Sequence, residues 1–239
     1  MNTACPSYIA PSFDADTGTA SREDRGDFAD EFNFYKMVWI FIIGSVAGFM
    51  VETLWCLIRC GHFESRTSLI FVPFTVIYGI GAAVMYVTLH KIERDQKFNI
   101  FFIGALAGTG IEFVGSYAQE KMFGSVSWDY SDAPFNVGGR VCLTYSLYWG
   151  ALALAWVFWI QPFIEKTIER IPDSVGVPLT YAVVIFLAVA AVLTVITVTR
   201  WSDRAGGLQS VTALGTWIDA KFPNALMEAV YPNMKFLIR

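Results

Sequence analysis

Charged side chains are scarce in this sequence. Asp, Glu, Lys and Arg make up 16% of its 239 residues, where soluble domains carry about 25%. Hydrophobic residues reach 55% and mean hydropathy is +0.48, which places the chain in the membrane class. A net charge of −4 without a basic stripe excludes a nucleic-acid partner. The four cysteines, Cys5, Cys56, Cys60 and Cys142, lack the spacing of a disulfide framework. Three of them lie in or beside apolar segments and read as free buried thiols. The two histidines, His62 and His90, fit no metal motif such as His-Glu-x-x-His, so neither a metal nor another cofactor is expected. No Gly-x-Ser-x-Gly nucleophile turn occurs, and no Gly-x4-Gly-Lys-Ser/Thr phosphate loop. The amino terminus lacks the basic start and short apolar core of a signal peptide.

What the chain has instead is long apolar runs. A spanning helix needs about 20 mostly apolar residues. Five segments qualify, at 36–58, 68–90, 98–118, 141–164 and 179–199. The expected fold is therefore all-α, a polytopic membrane bundle of about five helices. Residues 1–35 are polar and acidic and read as disordered. Residues 36–164 would form a four-helix core, 165–199 a linker and the fifth span, and 200–239 a tail. Val211, Leu214, Trp217, Ile218, Phe222 and Leu226 approach helical spacing, so the tail is expected to lie on the bilayer as an amphipathic helix interrupted at Pro223.

Two of these spans carry the same acid on the same framework. Phe41-Ile-Ile-Gly44-Ser-Val-Ala-Gly48-Phe-Met-Val-Glu52 aligns without a gap to Phe101-Phe-Ile-Gly104-Ala-Leu-Ala-Gly108-Thr-Gly-Ile-Glu112, with six of twelve positions identical. A carboxylate inside a membrane costs at least ~2.5–3.5 kcal/mol even on lenient scales. Its appearance twice in one frame points to a duplicated hairpin, helices 1–2 and 3–4. Both re-entries begin Arg-x-x-Leu, at Arg66 and Arg140, and Tyr78-Gly79 and Trp149-Gly150 fall inside the following helices. With five spans, both acids lie near the same membrane face. The glycines precede each acid at four-residue steps and share one stripe, which is expected to face the other stripe or another helix of the bundle.

The second unit carries a longer connection, 119–140, rich in aromatics, acids and turn residues. It reads as a re-entrant or lid-like segment over the carboxylates, or as an interfacial loop anchored by Trp128 and Tyr130. The candidate substrate- or ion-binding residues are Glu52, Arg66, Glu112, Glu120, Trp128, Asp129, Tyr130, Asn136 and Arg140. The arginines have Glu52 and Glu112, or Glu120 and Asp129, as candidate partners. The set binds a proton, a cation or a polar headgroup, or else is a wholly structural network.

At these residues the chain resembles the CmpB-like ABC-transporter permease family of small bacterial membrane proteins. The resemblance runs over about 37–160 and is carried by the late acid of helix 1, Arg66, Pro73, Tyr78-Gly79, Trp128-Asp-Tyr-Ser131, Pro134-Phe-Asn136, Gly139-Arg140 and Trp149-Gly150. Helix 2 keeps only part of the family's Cys-Pro-Ile-Tyr-Gly run. The resemblance implies a transporter, or its membrane subunit, in a bacterial inner membrane. A separate ATPase subunit or other membrane protein, membrane lipid and a second copy of the chain are the expected partners. Lys and Arg near the helix ends divide equally between the faces. The balance tips toward a cytoplasmic amino terminus if Arg66 and Arg140 belong to a protein site. An intramembrane enzyme acting on a lipid-linked substrate and a non-catalytic assembly partner are the competing readings.

Overall fold

A computed structural model describes residues 32–237. The expectation of disorder at 1–35 lies mostly outside these residues, and Phe34 and Tyr35 already belong to the first helix. Helix α1 (Phe34–Cys60) opens at Asn33, whose side chain accepts from the Lys36 amide at 2.7 Å. It closes at Gly61, whose φ of 75° allows the chain to turn back sharply. Helices α2 (Val76–Leu89) and α3 (Lys97–Phe123) follow, then a connection with three two-residue strands, β1 (Ser125–Val126), β2 (Asn136–Val137) and β3 (Val141–Cys142). Helix α4 (Leu143–Ala155) continues through a π turn at Trp156–Ile160 into α5 (Gln161–Ile168). Pro162 sits at the start of α5 and cannot donate to the helical ladder, so the ladder widens just before it. Helix α6 (Asp173–Ala205) leads to α7 (Ala213–Lys221), α8 (Asn224–Val230) and β4 (Lys235–Phe236).

Among the described residues, four helices are long and apolar enough to cross a membrane: α1, α3, the continuous 143–168 rod and α6. The expected span at 68–90 is helical only from Val76. At 14 residues α2 extends about 21 Å, short of the ~30 Å hydrocarbon core. Residues 67–75 form a tight non-helical turn instead. Pro73 has no amide to offer a helix, and local hydroxyls satisfy the backbone. Ser68 N donates to Phe74 O at 2.7 Å, Val76 N to Ser68 Oγ at 3.1 Å, and the Thr75 hydroxyl to Arg66 O at 2.7 Å. Irregular backbone at membrane depth is tolerable only when satisfied in this way.

The glycine stripes do not face each other. Each packs against the second helix of its own antiparallel pair. A Cβ on Gly44 would stand 2.5 Å from Ala82 Cβ, and one on Gly48 would overlap the Tyr78 ring. In the second pair Gly104 meets Ala153 and Gly108 meets the Trp149 ring, again too closely for a Cβ. The rings of Phe41 and Phe101 reach Gly79 and Gly150 in the same relation. These contacts recur at a constant offset, 60 positions in the first helix of each pair and 71 in the second. Helix α2 also packs on α3, which leaves α1 and α3 parallel with both acids toward one end. Ile40, Tyr86, Leu89, Ile100 and Trp156 fill the core at the opposite end.

The tail returns to the acid-bearing end rather than leaving the molecule. Strand β4 pairs antiparallel with β1, and Ile70, Trp201, Ile218, Phe222 and Met227 share a core. Leu214 and Trp217 remain exposed on the other side of α7. The two tail helices part at Pro223, where the amide is missing. Asp219 holds the docking, accepting from Arg200 Nη2 at 2.7 Å and from Arg204 Nη1 at 2.5 Å.

Replacing Gly104 by Ala forces a methyl into Ala153 and is expected to cost about 1–3 kcal/mol, the range for overpacking. Gly110, where a methyl would meet nothing within 4 Å, serves as the control. Gly110→Ala, mid-helix and free of clash, should leave stability unchanged or raise it by up to about 1 kcal/mol, both measured by thermal denaturation in detergent. The Arg200 guanidinium, then Arg204, hold the Asp219 carboxyl below the usual aspartate range. Its stabilisation is therefore present above the unfolded value of about 3.9 and is lost as pH falls below that through the folded value. Limited proteolysis of the tail should stay flat from neutral pH to about 4 and rise in stronger acid, whereas Asp219→Asn should raise it already at neutral pH.

Candidate functional site

The contacts that close each helix pair also deliver a hydrogen-bond donor to each acid. Tyr78, seated on Gly48, donates its hydroxyl to Glu52 Oε1 at 3.1 Å. Trp149, seated on Gly108, aims its indole N–H at Glu112 Oε2, at 3.4 Å. The ring centroids of Tyr78 and Trp149 lie 6.3 Å apart, so the halves meet between the acids. Glu112 is buried and Glu52 half-buried. Among the described residues neither carboxylate has a Lys, Arg or His nitrogen within 4.0 Å.

Glu112 has a second donor, and it comes from the long connection. Tyr130 donates its hydroxyl to Oε1 at 2.9 Å. Its ring stacks on Tyr145 of α4 with centroids 4.6 Å apart. Burial, and then the charge of Glu112, holds the Tyr130 phenol well above the usual tyrosine range, so it remains a donor. The rest of the connection braces this reach. Trp128 Nε1 donates to Arg140 O at 3.0 Å. The Asn136 amide donates to Ser131 O and Ala133 O and accepts from Gly139 N. Gly139 has a φ of 68°, and a Cβ there would collide with Asp129 and Ser131. Asp129 is exposed and turned into the loop, where the Ser131 hydroxyl at 2.6 Å and amide at 2.9 Å hold its carboxyl below the usual range. It does not join the acids.

The arginines sit one turn outward of the acids instead of pairing with them. Beyond Glu52 the stripe continues at four-residue steps to Cys56 and Cys60, and beyond Glu112 to Ser116 and Glu120. Arg140 donates to Ser116 Oγ at 3.1 Å and pairs with Glu120. Arg66 donates to Cys56 Sγ at 3.2 Å and pairs with Glu64 at 3.0 Å. Of the pairings anticipated from sequence, Arg140–Glu120 is present. Those of the arginines with Glu52, Glu112 or Asp129 are replaced by these contacts. The Arg140 guanidinium also lies 5.5 Å from the Tyr117 ring centre.

Several residues of this arrangement are not evident from the sequence. Tyr78 and Trp149 stand out there as a repeated aromatic-Gly pair but not as donors to the acids. Ser116, Cys56 and Glu64 are absent from the candidate site residues, although extending the glycine stripe by one more step past each acid reaches the first two. Cys60 is exposed, against the expectation of a buried thiol, because Gly61 ends α1 immediately after it.

Residues 39–195 match the family described as "Putative ABC-transporter type IV" (ABC_trans_CmpB). The chain belongs to this CmpB-like family. It is a multi-pass membrane protein related to transporters. No curated protein and no solved structure gives a match. The match to the CmpB-like family runs past residue 160, where the resemblance read from motifs ends, through most of α6. Both acids, both arginines, Tyr78, Tyr130 and Trp149 fall inside it, and the tail beyond α6 falls outside.

If Arg140 and Glu120 act as a unit, their removals will not add. Arg140→Met and Glu120→Gln should each lower thermal stability. The double variant should recover part of the loss, giving a coupling of about 0.5–3 kcal/mol in a double-mutant cycle. Additive losses would show that the pair is not a unit.

Proposed function

We propose that the chain is the membrane subunit of a transporter in which Glu52 and Glu112 take up and release a proton or small cation. The observation that carries this reading is the Tyr130–Glu112 hydrogen bond. A residue of an aqueous-face connection reaches an acid on a spanning helix, while the nearest arginine is occupied one turn away. Neutral donors orient both carboxylates without cancelling their charge. A proton or cation arriving at Glu112 changes what its oxygen offers Tyr130, and so couples occupancy to the position of the 119–140 connection. That connection then acts as a lid. The two acids are held alike on matched helix pairs, consistent with an internal duplication and two sites related by a pseudo-twofold axis.

The engaged arginines bear on orientation. Arg66, Arg140, Arg200 and Arg204 are all paired with acids of the protein, which removes them from the count of free loop charge. Lys91, Arg94, Lys97, Lys166 and Arg170 then favour a cytoplasmic location for the opposite, amino-terminal face. With no phosphate-binding loop in this sequence, an ATPase would be a separate subunit docking on that face.

The carboxylates report their own occupancy in infrared difference spectra of reconstituted protein taken across an acid–base step. Wild type should show protonated-carboxyl stretching bands. Glu52→Gln and Glu112→Gln should each remove one component, and the double variant both. Tyr130→Phe should shift the Glu112 component while leaving that of Glu52 unchanged. Full band intensity in a folded double variant, verified by size exclusion, would overturn the assignment.

A further inference from the structure

The outer ends of the two stripes match in position but differ in chemistry. In the second half the corner consists of Ser116, Glu120 and Arg140, a hydroxyl and one closed ion pair. In the first half the same helical positions hold Cys56 and Cys60, and the arginine partner is supplied by Glu64. The left-handed cap at Gly61 folds the chain back so that Glu64 returns over the two thiols. Cys56 Sγ, Cys60 Sγ and a Glu64 oxygen lie within 4.8 Å of one another. His62 Nε2 stands 2.9 Å from Glu64 Oε1, and Arg66 bridges Glu64 and Cys56. A structural corner would need none of these substitutions, as the second half shows.

We propose that Cys56, Cys60 and Glu64 bind a thiophilic divalent cation of the Zn²⁺ class. Two ligands at i and i+4 on one helix face is a spacing by which helices hold zinc. Tetrahedral zinc, with bonds of ~2.3 Å to sulfur and ~2.0–2.2 Å to oxygen, sets its ligand atoms about 3.5–3.8 Å apart. Small side-chain rotations bring this trio to that spacing. Two thiolates and one carboxylate on a divalent ion leave a charge of −1, which Arg66 cancels at hydrogen-bond distance. His62 holds the carboxylate ligand from outside the coordination shell, the usual role of a residue one step removed from the metal. The fourth position stays open to water, and exposed Cys60 gives the ion its entry. The site stands one helical turn outward of Glu52 and does not rest on the transport reading.

Cobalt(II) makes the site visible, because thiolate ligation produces a sulfur-to-metal charge-transfer band. Purified, reduced, metal-free full-length protein in detergent should develop this band with saturation at one equivalent, and Zn²⁺ should abolish it. Cys56→Ser or Cys60→Ser should halve the intensity, and the double variant should lose it. Cys142→Ser should leave it unchanged. His62→Ala should keep the band but weaken binding about 10–100-fold, which distinguishes an orienting histidine from a bystander. A folded wild type that shows no band with its thiols titrating as free, or a band that survives in the Cys56→Ser/Cys60→Ser variant, would overturn the proposal.

Discussion

An aromatic ring seated directly on a glycine is the contact on which this structure depends. Tyr78 covers Gly48 and Trp149 covers Gly108 so closely that a single methyl on either glycine would occupy the ring's position. In lipid no hydrophobic effect drives helices together, so close van der Waals contact must do it. The same seating fixes the polar end of each ring. With the base of the ring against the glycine, its hydroxyl or indole N–H falls one turn further along the neighbouring helix, where the acid stands. Packing and site therefore share one cause: the ring that closes each helix pair also supplies a donor to its acid.

That sharing explains which parts of the molecule are legible in the sequence. The stripe Gly44-Gly48-Glu52 and its counterpart are readable because helical spacing is a property of a single chain segment. What they face is not, because a small-residue stripe accepts any close partner. The 68–90 segment reads as a span on hydropathy alone. Its first part is instead a turn whose amides and carbonyls are satisfied by Ser68, Thr75 and their neighbours. Hydropathy registers apolar surface and says nothing of where backbone hydrogen bonds go. The tail's apolar spacing is periodic as expected, but periodicity does not distinguish a helix docked on protein from one docked on lipid. Here Ile218 and Phe222 take the first option while Leu214 and Trp217 stay outward.

The arginines show the same limit more sharply. Aligned by sequence, Arg66 and Arg140 are offset by 74 positions, whereas Tyr78 and Trp149 are offset by 71. They nevertheless reach matching places on the stripe, because α4 starts almost at once after Arg140 while a hydrogen-bonded turn separates Arg66 from α2. Two backbones of different length place the same charge beside Cys56 and Ser116. Equivalence in the fold is carried by the contact, and the sequence offset drifts around it.

The two halves, similar in scaffold, are not similar in environment. Glu52 is half-buried and receives one donor, while Glu112 is buried and receives two, the second from a connection the first half does not possess. A buried carboxylate held by neutral donors is more costly to leave charged than one near water. Removing Tyr130 therefore alters the balance at Glu112 without touching Glu52. The acid with the more complete cage is thus also the one that the long connection touches. A symmetric pair of acids would share one environment, whereas this pair has one member bonded to a long connection and one bonded only within its own helix hairpin.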